Sequence, residues 1–320
     1  MDALNQTPPG EAVSKNGIKG VTPRLSICIP AYQENASALL KSLYRQHGAE
    51  LCELIVYDDG SDDAYITADI ARWIYKYPGP ARLVTSLTNH GRAFARNRLI
   101  AHAESDWLLL LDADMQPDSK SFLKNYLAEI DAGDGKPRLI AGGFSLNHIR
   151  PTRIQALHAA QARRSECLKA ADRNKAPGRY VFTSNILVHA DILASVPFDE
   201  GFIGWGWEDV DWGLSVAEAW PVLHIDNTAT HLGLDDADTL LKKYATSGTN
   251  FARLALRHPK AVDDMPLMRA AQKLRSLPAT GFIRNIAKAL ARNRLGLVPI
   301  PIRLFALKLY RAATYARHLS

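Results

Sequence analysis

Asp112 and Asp114 are separated by one residue and follow the run Asp106-Trp107-Leu108-Leu109-Leu110-Leu111. Two carboxylates this near repel each other, and each is costly away from water unless something positive neutralises it. A hard divalent cation such as Mn2+ or Mg2+ does so, because it prefers oxygen ligands and can carry phosphate oxygens as well. The pair points to metal-assisted diphosphate chemistry, against the plainer alternative of a solvated turn after a strand. A second acidic group, Glu208, Asp209 and Asp211, follows Gly204-Trp205-Gly206-Trp207 where a loop runs into a helix. Carboxylates there suit general-base work, although acids in a first turn also simply favour the helix dipole. A third group is basic. Asn89-His90-Gly91 opens a helical stretch carrying Arg92, Arg96 and Arg98. A helix start and guanidinium groups both suit phosphate oxygens, and a solvated basic face accounts for two of the three arginines.

These groups need a scaffold, and the chain supplies a regular one. Leu108 to Leu111 show no alternation, so both faces want burial, as in a central parallel strand. Leu25-Ser26-Ile27-Cys28-Ile29 is a strand stopped by Pro30. Residues 51–57 form a second strand, halted by Asp58-Asp59-Gly60-Ser61, and residues 82–85 form a third. Helical spacing over 36–46, 64–75 and 91–102 alternates with them. That tempo predicts an α/β fold with a mostly parallel sheet and right-handed crossovers. The loops at 30–34, 58–63, 87–92 and 112–118 then share one sheet edge. Farther on, 139–143, 180–189 and 222–225 read as strands, 152–171 and 237–256 as helices, and 259–266 as a linker.

An apolar fraction of 47% with 22% charged residues marks a globular chain, and no run reaches the length of a spanning helix. The polar segment 1–22 reads as a flexible N-terminal arm with no apolar signal-peptide core. Cys28, Cys52 and Cys167 show no paired spacing, which favours buried thiols and a reducing, cytoplasmic setting. The net charge of +6 is uneven: from Arg269 to Ser320 there are eleven Lys or Arg and no Asp or Glu. An acidic body with a basic tail signals a partner.

Four stretches resemble the family 2 nucleotide-sugar glycosyltransferases with the GT-A fold. They are Ser26-Ile27-Cys28-Ile29-Pro30-Ala31-Tyr32, Ile55-Val56-Tyr57-Asp58-Asp59-Gly60-Ser61, Asn89-His90-Gly91 with Ala95-Arg96-Asn97, and Leu111-Asp112-Ala113-Asp114. A fifth, Gly204 to Asp211, resembles the acceptor-side motif of inverting galactosyl- and polysaccharide transferases. The resemblance covers about 24–255, so the expected division is an arm at 1–22, a GT-A domain at 23–257 and a basic amphipathic helical extension at 258–320. It implies that Pro30, Ala31 and Tyr32 cradle a nucleobase and ribose, with Glu34 a further contact. Asp58 and Asp59 both end a strand where a carboxylate can accept from base or ribose, or hold an Asx-type turn; the family position favours Asp59. It likewise favours Gly91 and Arg96 for the diphosphate, Asp114 as direct metal ligand, and Asp112 with Ala113 for ribose or metal-bound water. Asp209 is the implied base, Glu208 its alternate, and His231 stands where related enzymes place a third metal ligand. Trp205 and Trp207 are the acceptor-side aromatics, with Trp207 in place of the usual second glycine.

The resemblance therefore implies an inverting, Mn2+- or Mg2+-dependent transferase. It would take a nucleotide sugar, with UDP expected, to a glycan or lipid-linked acceptor in polysaccharide or glycoconjugate synthesis. The tail at 269–320 mixes apolar and basic residues on helices, which suits an anionic membrane surface, or packing on the domain. It lacks the interleaved aromatics of nucleic-acid binding, so no nucleic acid is expected. A nucleotidyltransferase is the rival enzyme class, but it wants a Gly-rich loop with a lysine where Pro30-Ala31-Tyr32-Gln33-Glu34 stands. A non-catalytic sugar-nucleotide-binding membrane adaptor is the other rival, disfavoured by the intact acids. Oligomeric state is not set by the sequence.

Overall fold

The computed structural model describes residues 10–319. Its centre is four parallel strands, β2 (Leu25–Ala31), β3 (Cys52–Asp58), β4 (Ala81–Thr85) and β5 (Trp107–Leu111), in an eight-stranded sheet. The order is β1-β4-β3-β2-β5-β9-β7-β10, where β1 is Ala12–Lys15, β7 Leu139–Ala141, β9 Asn185–His189 and β10 Val222–His224. β5–β9, β9–β7 and β1–β4 are antiparallel pairs, so the parallel core carries antiparallel additions on both sides. The chain moves outward from β2 to β4, then returns to place β5 on the other side of β2. Between β2 and β5 the winding reverses, which is where open α/β sheets bind ligands.

The leucine run is explained by the two faces. Trp107, Leu109 and Leu111 enter one core with Ile27, Leu54 and helices Ser37–Leu43, Ala64–Lys76 and Phe122–Ala132. Leu108 and Leu110 enter the other, with Cys28, Ile55, Leu99 of helix Arg92–His102 and Trp212 of helix Glu208–Ala219. Alternate side chains of one strand thus fill opposite cores, each buried leucine contributing roughly 1.5–3 kcal/mol.

Three expectations change. Residues 12–15 of the supposed loose arm form β1, an edge strand on β4, and the Glu11 carboxylate takes a two-pronged ion pair from Arg98 (2.8 and 2.9 Å); residues 1–9 of that arm lie outside the described residues. A buried forked pair ties down a segment that polarity alone would leave loose. The helix expected over 237–256 is two, Ala237–Thr246 and Gly248–Arg257. They break where a Cβ on Gly248 would lie 2.4 Å from His318 Cδ2, so the bare backbone admits the C-terminal end. Residues 259–266 are no linker: Pro259–Asp263 is helical, and Val262 and Met265 are buried against Phe251 and Tyr315. Helices Pro266–Arg275, Thr280–Arg292 and Ile300–Tyr315 follow, and the last packs on helix Ala156–Ser165. Cys28, Cys52 and Cys167 are unpaired, and the first two are buried.

A small second sheet joins β6 (Met115–Pro117), β11 (Ala229–His231) and β8 (Phe144–Ser145). Nothing in the sequence announces it, yet its register sets His231 opposite Met115, one residue after Asp114.

Candidate active site

The carboxyl ends of β2, β3 and β5 open into a cavity of ≈ 1190 Å³, whose walls include Pro30, Ala31, Tyr32, Glu34, Asp59 and Gly91. Arg96, Asp112, Ala113, Asp114 and His231 line the same space, as do Trp205, Trp207, Glu208 and Asp209. Among the candidate residues expected from sequence, Asp58, Arg98 and Asp211 stand off the wall, and Asp58 serves its own turn. Its carboxylate accepts from Ser61 N (3.0 Å) and Thr67 Oγ1 (3.0 Å), which makes it the holder of the turn after β3.

Asp114 Oδ2 is 3.0 Å from His231 Nε2, bringing together residues 117 positions apart through the β6–β11 pairing. Burial alone would lower the His231 pKa, but the hydrogen bond and charge of Asp114, then Glu166 and Asp112, raise it above the ordinary value. His231 Nδ1 is buried without a hydrogen-bond partner. Gly233 closes over the pair: a Cβ there would lie 2.1 Å from Asp114 Oδ2, so any larger residue would displace the carboxylate. The Asp114 carboxylate suits a hard divalent cation, and the imidazole nitrogen beside it favours Mn2+ over the oxygen-seeking Mg2+. Glu166 and His158 stand near, each with a ligand atom within 4.8 Å of the others and of His231. His158 Nδ1 accepts from Asp235 N (2.8 Å), and burial depresses its pKa to about 4. Its proton therefore sits on Nε2, leaving Glu166, whose pKa burial raises, as the neighbour suited to a cation.

Asp112 faces the other way. Its Oδ1 accepts from Arg96 Nη2 (3.0 Å) and its Oδ2 from Ser184 Oγ (2.7 Å). Burial pushes its pKa up, but Arg96, Arg92 and Ser184 outweigh that and hold it below the usual carboxylate range. Arg96 is buried, its Nε lacks a partner, and it feels Asp112, Asp209 and Glu208 together. It stands between the two acid groups as their common counter-charge.

Asp209 and Glu208 begin helix Glu208–Ala219. Thr183 fixes Asp209, with Oγ1 donating to Oδ1 (2.7 Å) and the backbone N–H to Oδ2 (3.3 Å). Glu208 lies 3.6 Å from Arg92 Nη1, and its Oε2 is buried without a partner. Burial, then the adjacent Asp209 charge, raises its pKa. Asp211 leaves the site to meet Arg257 Nε (2.8 Å) and His258. Thr183 and Ser184 orient one acid each, and sequence reading missed both: they sit unmarked within a strand-like run.

The residues expected to face a nucleotide divide. Tyr32 is exposed at the rim. The Asp59 carboxylate is consumed by the next loop, accepting from His90 N (3.0 Å), Gly91 N (2.8 Å) and Asn89 Nδ2 (3.0 Å). It shapes the start of helix Arg92–His102 rather than offering both oxygens to a base. Burial, then the Asp114 charge, raises the Glu34 pKa.

Trp207 adopts φ +78°, the left-handed region where the family pattern has glycine. Its indole is turned to the C-terminal helices: Nε1 donates to Tyr315 OH (3.2 Å), Phe251 packs at 4.8 Å and the Arg311 guanidinium lies 4.7 Å from the ring. Trp205 packs on Tyr244 at 5.6 Å. Helix Ile300–Tyr315 itself lines the cavity through Phe305, Lys308, Leu309 and Arg311.

Residues 26–157 match the model for glycosyl transferase family 2. That segment belongs to the family. Three solved structures share the mixed α/β GT-A fold. One is a mannosyltransferase from Pyrobaculum calidifontis in complex with GDP-Man and Mn2+, 17% identical, with TM-score 0.55 over 99% of this chain and 92% of that one. S. aureus TarS is 17% identical with TM-score 0.52, over 91% of this chain and 55% of that one. Glucosyl-3-phosphoglycerate synthase from Mycobacterium tuberculosis, solved with phosphoglyceric acid, is 18% identical with TM-score 0.51, over 73% and 80%. No curated protein matches the chain. The family 2 segment ends before Trp205, Glu208, Asp209 and His231, so the acid loop and the histidine beside Asp114 come from the chain beyond it.

Proposed function

We propose that the protein is an inverting, divalent-metal-dependent glycosyltransferase that moves a sugar from a nucleotide sugar, with UDP the expected carrier, to a hydroxyl of a glycan or lipid-linked acceptor. The observation that carries this is the pairing of Asp114 with His231 in one cavity with a separately oriented carboxylate, Asp209. The mannosyltransferase of like fold was solved with GDP-Man and Mn2+, which supports a nucleotide-sugar donor and a divalent metal.

Asp114 and His231 would hold the metal, with Glu166 adjacent. When bound, it supplies positive charge to the departing diphosphate. Arg96, already charged against Asp112, and Arg92 at the helix start add fixed positive charge on the diphosphate side. The acceptor enters beside Trp205. Asp209, its geometry set by Thr183, takes the proton of the acceptor hydroxyl as that oxygen bonds to the anomeric carbon. The bond from that carbon to the diphosphate oxygen breaks, its electron pair leaves with the nucleotide, and the configuration inverts. Glu208 is a second reading for the base, favoured by its unpartnered buried Oε2.

The experiment is a nucleotide-sugar panel, UDP- and GDP-linked, scored first by thermal stabilisation with Mn2+ and then by NMR of the product anomer. Inversion, lost in Asp209→Asn, is the expected result; retention at the anomeric carbon would overturn the displacement.

A further inference from the structure

The antiparallel-packed helices Thr280–Arg292 and Ile300–Tyr315 meet at a loop, 293–299, that carries large apolar side chains into solvent. Leu295 is 84% exposed and Leu297 79%; Ile302, on the next turn, is 50% exposed, and Leu290 on the preceding one is also exposed. The loop is built rather than slack. Asn293, at φ +51°, ends the first helix and folds its amide back on the loop, donating from Nδ2 to Val298 O (3.1 Å) and accepting from Val298 N (2.9 Å). Pro299 and Pro301 fix the start of the second helix. Such stapling holds two leucines outward in water, the reverse of what burial favours.

Around this tip the charge has one sign. Arg294 and Lys288 are exposed, and Arg153 approaches so closely that a Cβ on Gly296 would lie 3.1 Å from its Nη2. The next residue, Ile154, is 65% exposed. The nearby acid Asp238 is already taken by Arg292 (2.7 Å), and 269–320 contains no acid at all. Apolar side chains projecting from a basic collar complement one kind of surface: a bilayer with anionic headgroups.

We propose that this hairpin tip docks the protein on an anionic lipid bilayer. Leu295 and Leu297 enter the headgroup–acyl boundary, while Arg294, Lys288 and Arg153 meet lipid phosphates. The proposal deepens the transferase reading by choosing between its acceptors. Phe305 and Lys308 line the cavity on the same helix as Ile302, roughly 4.5 and 9 Å along it by helical rise, so an acceptor carried by a lipid reaches the site from the docked face.

The test is co-sedimentation of the full chain with vesicles of phosphatidylcholine, with and without phosphatidylglycerol. Binding is expected only with phosphatidylglycerol, weakening as salt rises, and falling at least tenfold in the Leu295→Glu/Leu297→Glu variant. Circular dichroism and donor-induced thermal stabilisation should match the parent, since neither leucine touches the cavity. Equal binding to both vesicles, or an unchanged variant, would overturn the proposal. So would a dimer in sedimentation velocity that the variant abolishes while vesicles stay unbound, because the tip would then be a self-association face. No arm uses catalysis, so a failed sugar transfer leaves the lipid result intact, and the converse holds.

Discussion

Trp207 and Tyr315 are 108 residues apart, and the indole Nε1 of one donates to the hydroxyl of the other at 3.2 Å. This bond joins the acid loop to the last helix of the chain. The C-terminal extension is thereby part of the wall behind Glu208 and Asp209, with Arg311 between the Trp207 and Tyr244 rings.

Substitutions at Trp207 should invert an ordinary ranking. Removing a packed tryptophan costs about 3–5 kcal/mol, but at φ +78° alanine also suffers left-handed strain of about 1–2 kcal/mol that glycine escapes. Trp207→Gly is therefore expected to be more stable than Trp207→Ala, although both fall below the parent. Urea denaturation of the three proteins checks the order; alanine ranking above glycine would contradict it.

Thr183 should matter through Asp209. Thr183→Val keeps the shape but deletes the hydroxyl donor to Oδ1. The expected result is a kcat lowered about 10- to 100-fold with donor KM nearly unchanged, and Asp209→Asn should lose about 10²–10⁴-fold. If the base is Glu208 instead, Glu208→Gln gives the larger loss and Thr183→Val little.

Substitution in the Asp114–His231 pair should separate cation binding from folding. Asp114→Asn and His231→Gln are each expected to abolish Mn2+-dependent thermal stabilisation in the presence of nucleotide diphosphate. Chelator should do the same to the parent. A Mn2+ shift surviving in both variants would place the cation elsewhere.

Acid should weaken the fold through His224. It is buried, with Nδ1 accepting from Arg173 Nη1 (2.7 Å) and Nε2 donating to Pro177 O (2.9 Å), and burial drives its pKa down to about 4. The unfolded chain protonates near ~6.5 while the folded ring stays neutral to about 4. Stability therefore declines as pH drops through that interval, by on the order of 3 kcal/mol for this residue, and levels below it. Denaturation at pH 7, 5.5 and 4.5 should give a flatter profile for His224→Gln; parallel profiles would exclude the linkage.

Legibility tracked how locally each feature is encoded. β3 and β5 are apolar runs that end abruptly in acids, so those strands and the acids at their ends could be read together, whereas β2 runs on through Pro30 to Ala31. Asp112 and Asp114 needed only their immediate neighbours. His231 was found through family spacing, but the three-residue strand carrying it is stabilised by partners 85 to 116 residues away, which no local pattern reveals. The split at Ser247 and the helix at 259–263 have the same origin, since close approach of the C-terminal helix decides them. Asp58 and Asp59 carry identical chemistry in sequence, and only coordinates show both engaged, one by its own turn and the other by residues 89–91.

Strand β1 has a consequence for handling the molecule. It occupies the outer rim of β4, and Glu11 answers Arg98 from the same segment. A shortened version beginning after residue 22 would bare a row of unmated backbone amides and carbonyls beside a cation deprived of that carboxylate. Sticky ribbon borders of that kind recruit copies of themselves, so such trimming would yield precipitate rather than a tidier enzyme.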